Sequence, residues 1–290
     1  MLRILPYLGS KALLLLITAL SVHISLSPPN PPVKKEDQNY FVQQLGIGSK
    51  THTSLNPRNS PIIGIESPFE KVVLWVTFCS KLMVWAGVLL NIVAAAAVGC
   101  SGGNAPLAAA YLGSTCPVGS HLKLDGLPLE SVGVHPALVV GTISTVVAAV
   151  LRVWCFKTLG PFFTFEITIR PKHHLITGGP YAWVRHPSYT GVYLTLFGAS
   201  LALWSPETLN STGCASQTPD WTASLGPIWH AWQRTFGMAF AGVWVAKCLF
   251  ACHGMTTRMK KEDNALEATF RECWEDYAER VPWKLIPGIW

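Results

Sequence analysis

Two long apolar runs, residues 72–98 and 136–156, decide what this chain can fold into. Each meets or exceeds the roughly 20 residues an α-helix needs to cross a hydrocarbon core. The first is interrupted by Lys81 and Asn91, and the second carries one charge, Arg152, near its end. Three shorter apolar stretches accompany them: 12–26, with His23 inside; 189–204, uncharged; and 236–252, which carries Lys247 and starts as early as Ile228. Only 13% of the 290 residues are charged, against roughly 25% in an ordinary soluble domain, and mean hydropathy is +0.32. Those figures exclude a disulfide-rich miniprotein, a disordered scaffold and a compact DNA-binding domain. They fit a polytopic membrane protein with a modest water-facing portion.

The cations assign sides to the spans. Residues 152–188 hold Arg152, Lys157, Arg170, Lys172 and Arg185, and the tail from His253 holds Arg258, Lys260, Lys261, Arg271, Arg280 and Lys284. Segments 99–135 and 205–235 hold one each, Lys123 and Arg234. By the positive-inside rule the 152–188 loop and the tail lie on the cytosolic side. The stretches 189–204 and 236–252 then form a helical hairpin joined by 205–235. Counting back, 27–71 is also cytosolic and carries five cations. Five spans place Arg3 and Lys11 on the far side, against the rule. The first stretch reads equally as a signal peptide or a signal anchor.

Trp204, Trp221, Trp229 and Trp232 gather near the far-side ends of the last two spans, as an interfacial belt does. Prolines 28, 29, 31 and 32 make 27–32 a linker, and 99–133, rich in Gly, Ser and Pro, reads as an irregular loop. Of eight cysteines, Cys79, Cys155, Cys248 and Cys252 lie in apolar spans as packing residues. Cys100, Cys116 and Cys214 fall in far-side loops, where an oxidising lumen would permit a disulfide. Cys248, Cys252 and His253 imitate a metal site but lack a fourth ligand, so no metal is expected.

The densest signal is residues 158–191. Gly178, Gly179 and Pro180 form a turn, and Arg185, His186 and Pro187 then stand at the mouth of the fourth span. Proline suits the first turn of a helix, which puts His186 near the N-cap. A helix start presents unpaired N–H groups and the positive end of its dipole, suited to an anionic group. Tyr189 and Gly191 lie on that first turn, and Gly191 permits a close approach to the backbone. The second signal is in the tail, where Arg258 and Glu262 are four apart and Asp263 follows. From Lys260 the pattern is amphipathic: Leu266, Phe270, Trp274, Tyr277 and Val281 recur at helical spacing, in a cytosolic helix that continues the fifth span and ends at Pro282 and Pro287.

The run GGPYAWVRHPSYTG at 178–191 resembles the Gly-Pro-Tyr…Arg-His-Pro-x-Tyr-x-Gly signature of the isoprenylcysteine carboxyl methyltransferase family. Leu159-Gly160 and His174-Leu175-Ile176 also fit, as does the ending from Val281 to Gly288. Arg258-x-x-x-Glu262-Asp263 is similar to the family's Arg-x-x-x-Glu-Glu. The likeness covers 136–290, with one departure: family members often carry Phe-Gly where this chain has Phe270-Arg271. Related membrane methyltransferases of phospholipids share the Arg-His-Pro-x-Tyr-x-Gly and acidic elements.

The resemblance implies an all-α, polytopic integral membrane protein of about five transmembrane helices. A cytosolic S-adenosyl-L-methionine pocket would be formed by the last spans and the C-terminal helix. The expected division is 1–71, an N-terminal hydrophobic segment and linker; 72–135, a span and loop; and 136–290, the catalytic core. By carry-over Tyr181, His186, Tyr189, Glu262 and Asp263 contact the cofactor, and Arg185 and Arg258 hold carboxylates. The implied reaction is methyl esterification of the C-terminal carboxylate of prenylated cysteine. The implied setting is the endoplasmic reticulum membrane, with CaaX-type prenylated proteins and membrane lipid as partners and no nucleic acid. Two other readings stay open. A phosphatidylethanolamine-type N-methyltransferase would need a base such as His186 or Glu262, and a membrane scaffold would have no chemistry.

Overall fold

The computed structural model describes residues 5–31, 68–100, 135–164, 174–205 and 226–289, with side chains described over 10–31, 72–91, 135–164, 174–205 and 235–289. Among these residues the protein is all-α. The helices are α1 (Leu5–Ser25), α2 (Pro68–Cys100), α3 (Pro136–Leu159), α4 (Pro187–Leu203), α5 (Gly226–Phe270) and α6 (Glu272–Arg280). Short 3₁₀ turns occupy Gly160–Phe162 and Gly179–Ala182. Among the described residues three segments are long and apolar enough to cross a membrane: Val72–Asn91, Pro136–Phe162 and Thr235–Phe270. The all-α, polytopic membrane character expected from the sequence therefore holds. Gly99 and Cys100, expected to open an irregular loop, still belong to α2, because the apolar helix runs on to Cys100. The rest of that loop, 101–133, Cys116, Cys214, Lys123, Trp221 and the 206–225 connection lie outside the described residues, as do the side chains of Cys100, Trp229, Trp232 and Arg234.

The helices are built for a solvent as apolar as their own side chains. In α1 the buried face holds Leu15, Thr18, Ala19, Val22 and Ser25, while Leu13, Leu20 and Ile24 point outward. In α3, Leu138, Thr142, Thr145, Ala148, Arg152 and Cys155 are buried, while Val140, Ile143, Val147, Val150 and Trp154 are exposed. Spacings of three and four put each set on one stripe. Hydroxyls and small residues face inward and bulky aliphatics outward, the arrangement of helices that associate in lipid.

The chain comprises two units, residues 1–23, 80–146 and 194–246, and residues 24–79, 147–193 and 247–290. In the first, Thr18 Oγ1 lies 2.9 Å from Thr142 Oγ1. A Cβ on Gly141 would sit 2.7 Å from Ala202 N and from Gly198 O, so α3 and α4 meet backbone to backbone. Trp244 donates its Nε1–H to Ser200 Oγ at 2.9 Å, and its ring meets Trp204 edge-on at 5.8 Å. Trp204, read from sequence as part of an interfacial belt, thus packs on a buried indole.

The second unit is tied by polar contacts. Asn30 Nδ2 donates to Gly160 O at 2.8 Å and to Phe163 O at 2.9 Å, pinning the proline linker to the turn after α3. Arg152, only 4% exposed, donates its Nε–H to Ser25 O at 2.9 Å and an Nη1–H to Ser188 Oγ, with Phe156 and Phe163 against its guanidinium. Its stem passes over Gly191, where a Cβ would lie 2.6 Å from Arg152 Cγ. The close approach expected at Gly191 is therefore made by this arginine.

The tail differs from the single helix read from its periodicity. α5 stops at Phe270, and Arg271 adopts φ 43° and ψ −116° before α6 begins. The apolar spacing persists because the two sides of the break pack on each other: Trp274, Tyr277 and Val281 are buried against Leu175, Leu266 and Phe270. Arg271 is the only described non-glycine with positive φ, and it stands where the family pattern often has glycine. Such a conformation costs of order 1–3 kcal/mol in a residue with a Cβ. Arg271→Gly should stabilise the protein by about 1 kcal/mol once the greater freedom of the unfolded glycine is subtracted. A raised thermal midpoint in detergent is the expected result, and an unchanged or lowered one would count against strain at this position.

Candidate active site

The corner before α4 is set by its residue types. Gly179, at φ 61°, turns the chain, and a Cβ there would meet Thr158 Oγ1 at 3.0 Å. Pro180 and Tyr181 follow, both buried. His186 is the N-cap of α4: its carbonyl accepts from Tyr189 N at 3.1 Å and Thr190 N at 3.4 Å, with Pro187 at the first helical position. The tail docks against this corner through its backbone. Arg185 N donates to Trp283 O at 2.9 Å, His186 N to Lys284 O at 2.8 Å, and Thr190 Oγ1 to Leu285 O at 2.8 Å.

α5 supplies the opposing groups. Met255, Arg258, Met259 and Asp263 are buried along it and Glu262 is partly so. Spacings of three and four put Arg258 and Glu262 on one face, with Asp263 beside them. Asp263 Oδ1 lies 2.8 Å from His186 Nε2, and Glu262 Oε2 lies 3.5 Å from His186 Nδ1. Tyr189 donates its hydroxyl to Glu262 Oε1 at 2.8 Å, and Arg258 Nε approaches the same oxygen at 3.4 Å. Asp263 Oδ2 meets Lys284 Nζ at 2.9 Å and Arg185 Nη2 at 3.9 Å. Arg185 also lies over the Trp274 ring, 5.8 Å from its centroid. Tyr181 presents its carbonyl to the Tyr277 hydroxyl at 2.8 Å, which binds the turn to α6.

Six of the seven site residues expected from the sequence, Arg185, His186, Tyr189, Arg258, Glu262 and Asp263, form one connected network. Tyr181 stands beside it, its phenol against Cys155. Arg258 and Glu262 are not a surface pair, since the Arg258 side chain is 7% exposed. Sequence reasoning missed Lys284, counted there only as a tail cation, and Arg152, read only as a charge near the end of a span. The available signal for Arg152 was a small residue, Gly191, at the start of the neighbouring helix.

Burial works against a charge on His186, but its hydrogen bonds to Asp263 and Glu262 and the charge of those carboxylates prevail and raise its pKa above 6.5. Burial holds the Tyr181 phenol well above its usual range, so this group stays protonated. A pKa raised on folding adds stability that is full below the unfolded value near 6.5 and fades as pH rises through the folded one. The unfolding midpoint of the native protein should therefore fall as pH rises above about 6.5. His186→Gln should remove that slope, and a slope unaltered by this substitution would remove His186 as its source.

Chemically the site brings two carboxylates to two arginines, a lysine and a histidine, with no serine or cysteine nucleophile in the network. Among the described residues the buried Nε of Arg185 meets no hydrogen-bond acceptor, and 3.9 Å to Asp263 is a loose contact. Donor capacity is thus left for an incoming carboxylate. Glu262, 27% exposed, is the more accessible of the two acids, and its oxygens suit an ammonium or a pair of hydroxyls. Such a set suits a ligand that carries both an ammonium and a carboxylate.

Residues 139–212 match the Isoprenylcysteine carboxyl methyltransferase (ICMT) family, which bears out the resemblance read from the 178–191 motif. The match covers α3, the corner and α4. The chain is 25% identical over 152 residues to "Protein-S-isoprenylcysteine O-methyltransferase" of Dictyostelium discoideum, over 52% of this chain and 49% of that protein. It is also 34% identical over 47 residues to "Uncharacterized protein YpbQ" of Bacillus subtilis (strain 168), over 16% of this chain and 28% of that protein. The chain thus spans about half the length of the first relative and less of the second. No solved structure matches it.

Proposed function

We propose that this protein methylates the C-terminal carboxylate of prenylated cysteine using S-adenosyl-L-methionine, at a site formed by residues 181–189 and 258–263. The observation that carries the reading is the convergence of the Arg185-His186-Pro187 corner with Glu262 and Asp263, within a chain whose 139–212 segment matches the methyltransferase family. When bound, S-adenosyl-L-methionine supplies an electrophilic methyl group on a sulfonium whose departure leaves a neutral thioether.

The acceptor carboxyl has a pKa near 3.3–3.7 and is ionised at neutral pH, so it needs no base. That agrees with a network of acids and cations holding no nucleophile–base pair. Arg185 or Arg258 orients the acceptor, and loose contact preserves its reactivity, because a tight bidentate grip would withdraw charge from the attacking oxygen. Glu262, steadied by Tyr189 and Arg258, holds the cationic donor. Opposite charges disappear as the new bond forms, so a site shielded from water favours the reaction. An apolar prenyl chain partitions into lipid at about 0.8 kcal/mol per buried CH₂, which explains why such chemistry would sit on membrane-spanning helices. In this reading the site faces the cytosol, where the cationic segments lie, and the membrane is the endoplasmic reticulum. The substrates are CaaX-type prenylated proteins.

The test is methyl transfer by purified protein in nanodiscs to a farnesylcysteine analogue, with phosphatidylethanolamine as the competing acceptor. Transfer to the analogue supports the reading. Transfer to the lipid amine alone would replace it with N-methylation, and absence of donor binding would leave a scaffold.

A further inference from the structure

The two acids of the site are unequal. Asp263 has both oxygens engaged, Oδ1 on His186 and Oδ2 on Lys284 with Arg185 nearby. Glu262 has the larger exposure, 27% against 12%. Lys284 grips His186 twice. Its carbonyl accepts the His186 backbone N–H at 2.8 Å. Its ammonium, 2.9 Å from Asp263, holds the carboxylate that in turn sits 2.8 Å from the imidazole. These contacts close a ring from Lys284 through Asp263 to the His186 side chain and back through the peptide bonds. The ring fixes the imidazole from one side, and the other ring nitrogen then faces Glu262 at 3.5 Å. The tail is held in register by the neighbouring bonds Arg185 N to Trp283 O and Thr190 Oγ1 to Leu285 O.

Resting on the function proposed above, we infer that Lys284 is a positioning residue: through Asp263 it orients His186 and thereby Glu262, so that Asp263 serves the site as a clamp while Glu262 meets the methyl donor. The tail is then a working part of the site, although its lysine stands some twenty residues from the acids in the chain. Removing the ammonium leaves the Asp263 charge to His186 and Arg185. The imidazolium, which also faces Glu262 and lies near Tyr189, is then stabilised further. The imidazole also loses its fixed orientation, which weakens donor binding more than turnover.

The test uses the full chain in nanodiscs with labelled histidine, the His186 signal being assigned by its loss in His186→Gln. Lys284→Met should move the His186 titration upward by about one pH unit. It should also raise KM for S-adenosyl-L-methionine about tenfold with a smaller change in kcat. Lys284→Arg should restore both. An unshifted titration in Lys284→Met would overturn the inference, as would a kcat loss at unchanged KM. Should the native protein neither bind the donor nor transfer methyl, the proposed function falls while the titration still decides whether Lys284 orients His186. The thermal midpoint of Lys284→Met, read alongside, separates loss of the clamp from loss of the fold.

Discussion

Glu262→Gln should lower kcat/KM for methylation of a farnesylcysteine analogue by roughly thirty- to hundredfold. The substitution keeps the size of the side chain and removes its charge. Tyr189 and Arg258 then share an amide oxygen where they had a carboxylate, at contacts of 2.8 Å and 3.4 Å, and His186 loses its 3.5 Å partner. Breaking a fully buried pair costs about 3–5 kcal/mol. The 27% exposure of Glu262 screens part of that and brings the figure to about 2–3 kcal/mol, which corresponds to the stated loss. The comparison is Glu267→Gln, on the same helix and exposed to solvent, which should remain within about twofold of the unsubstituted protein. Equal losses in the two variants would show that charge on α5, rather than this network, is what matters.

Gly191→Ala should destabilise the fold where the same change at Gly242 does not. A Cβ at 191 would lie 2.6 Å from Arg152 Cγ, 2.9 Å from its Cδ and 3.4 Å from Ala148 O. Arg152 cannot swing clear, because its head is bound to Ser25 O and Ser188 and flanked by Phe156 and Phe163. Overpacking of this kind costs about 1–3 kcal/mol, and displacing a buried guanidinium from its acceptors adds to it. Better helix propensity returns about 1 kcal/mol. At Gly242, within α5, no described residue comes within 4 Å of the added methyl, so only the propensity gain remains. A lower thermal midpoint for Gly191→Ala and an equal or higher one for Gly242→Ala are expected. Parity between them would mean that Arg152 is loosely held.

Much of the site was legible because short motifs fix local geometry. Gly178-Gly179-Pro180 demanded a turn, and Pro187 demanded a helix start with His186 at its cap, as observed. Four-residue spacing put Arg258 and Glu262 on one face. The break at Arg271 was hidden because the run Leu266, Phe270, Trp274, Tyr277, Val281 has the same spacing whether the helix continues or turns and packs on itself. The departure from the family's Phe-Gly marked the right position without giving the conformation. Lys284 and Arg152 were legible only as charges. Nothing in spacing says that a tail lysine reaches Asp263, or that an arginine in an apolar helix is fastened to Ser25 and Ser188. Those contacts join segments 21 to 127 residues apart, and only the tertiary fold brings them together.

One experiment bears on whether the corner and the α5 acids form a single donor site: photocrosslinking of radiolabelled S-adenosyl-L-methionine to the protein in nanodiscs, followed by peptide mapping. Label should appear in peptides holding residues 181–189 and 258–263, and excess S-adenosylhomocysteine should suppress it in both. Suppressible label on other segments, with these two unlabelled, would contradict the site described above.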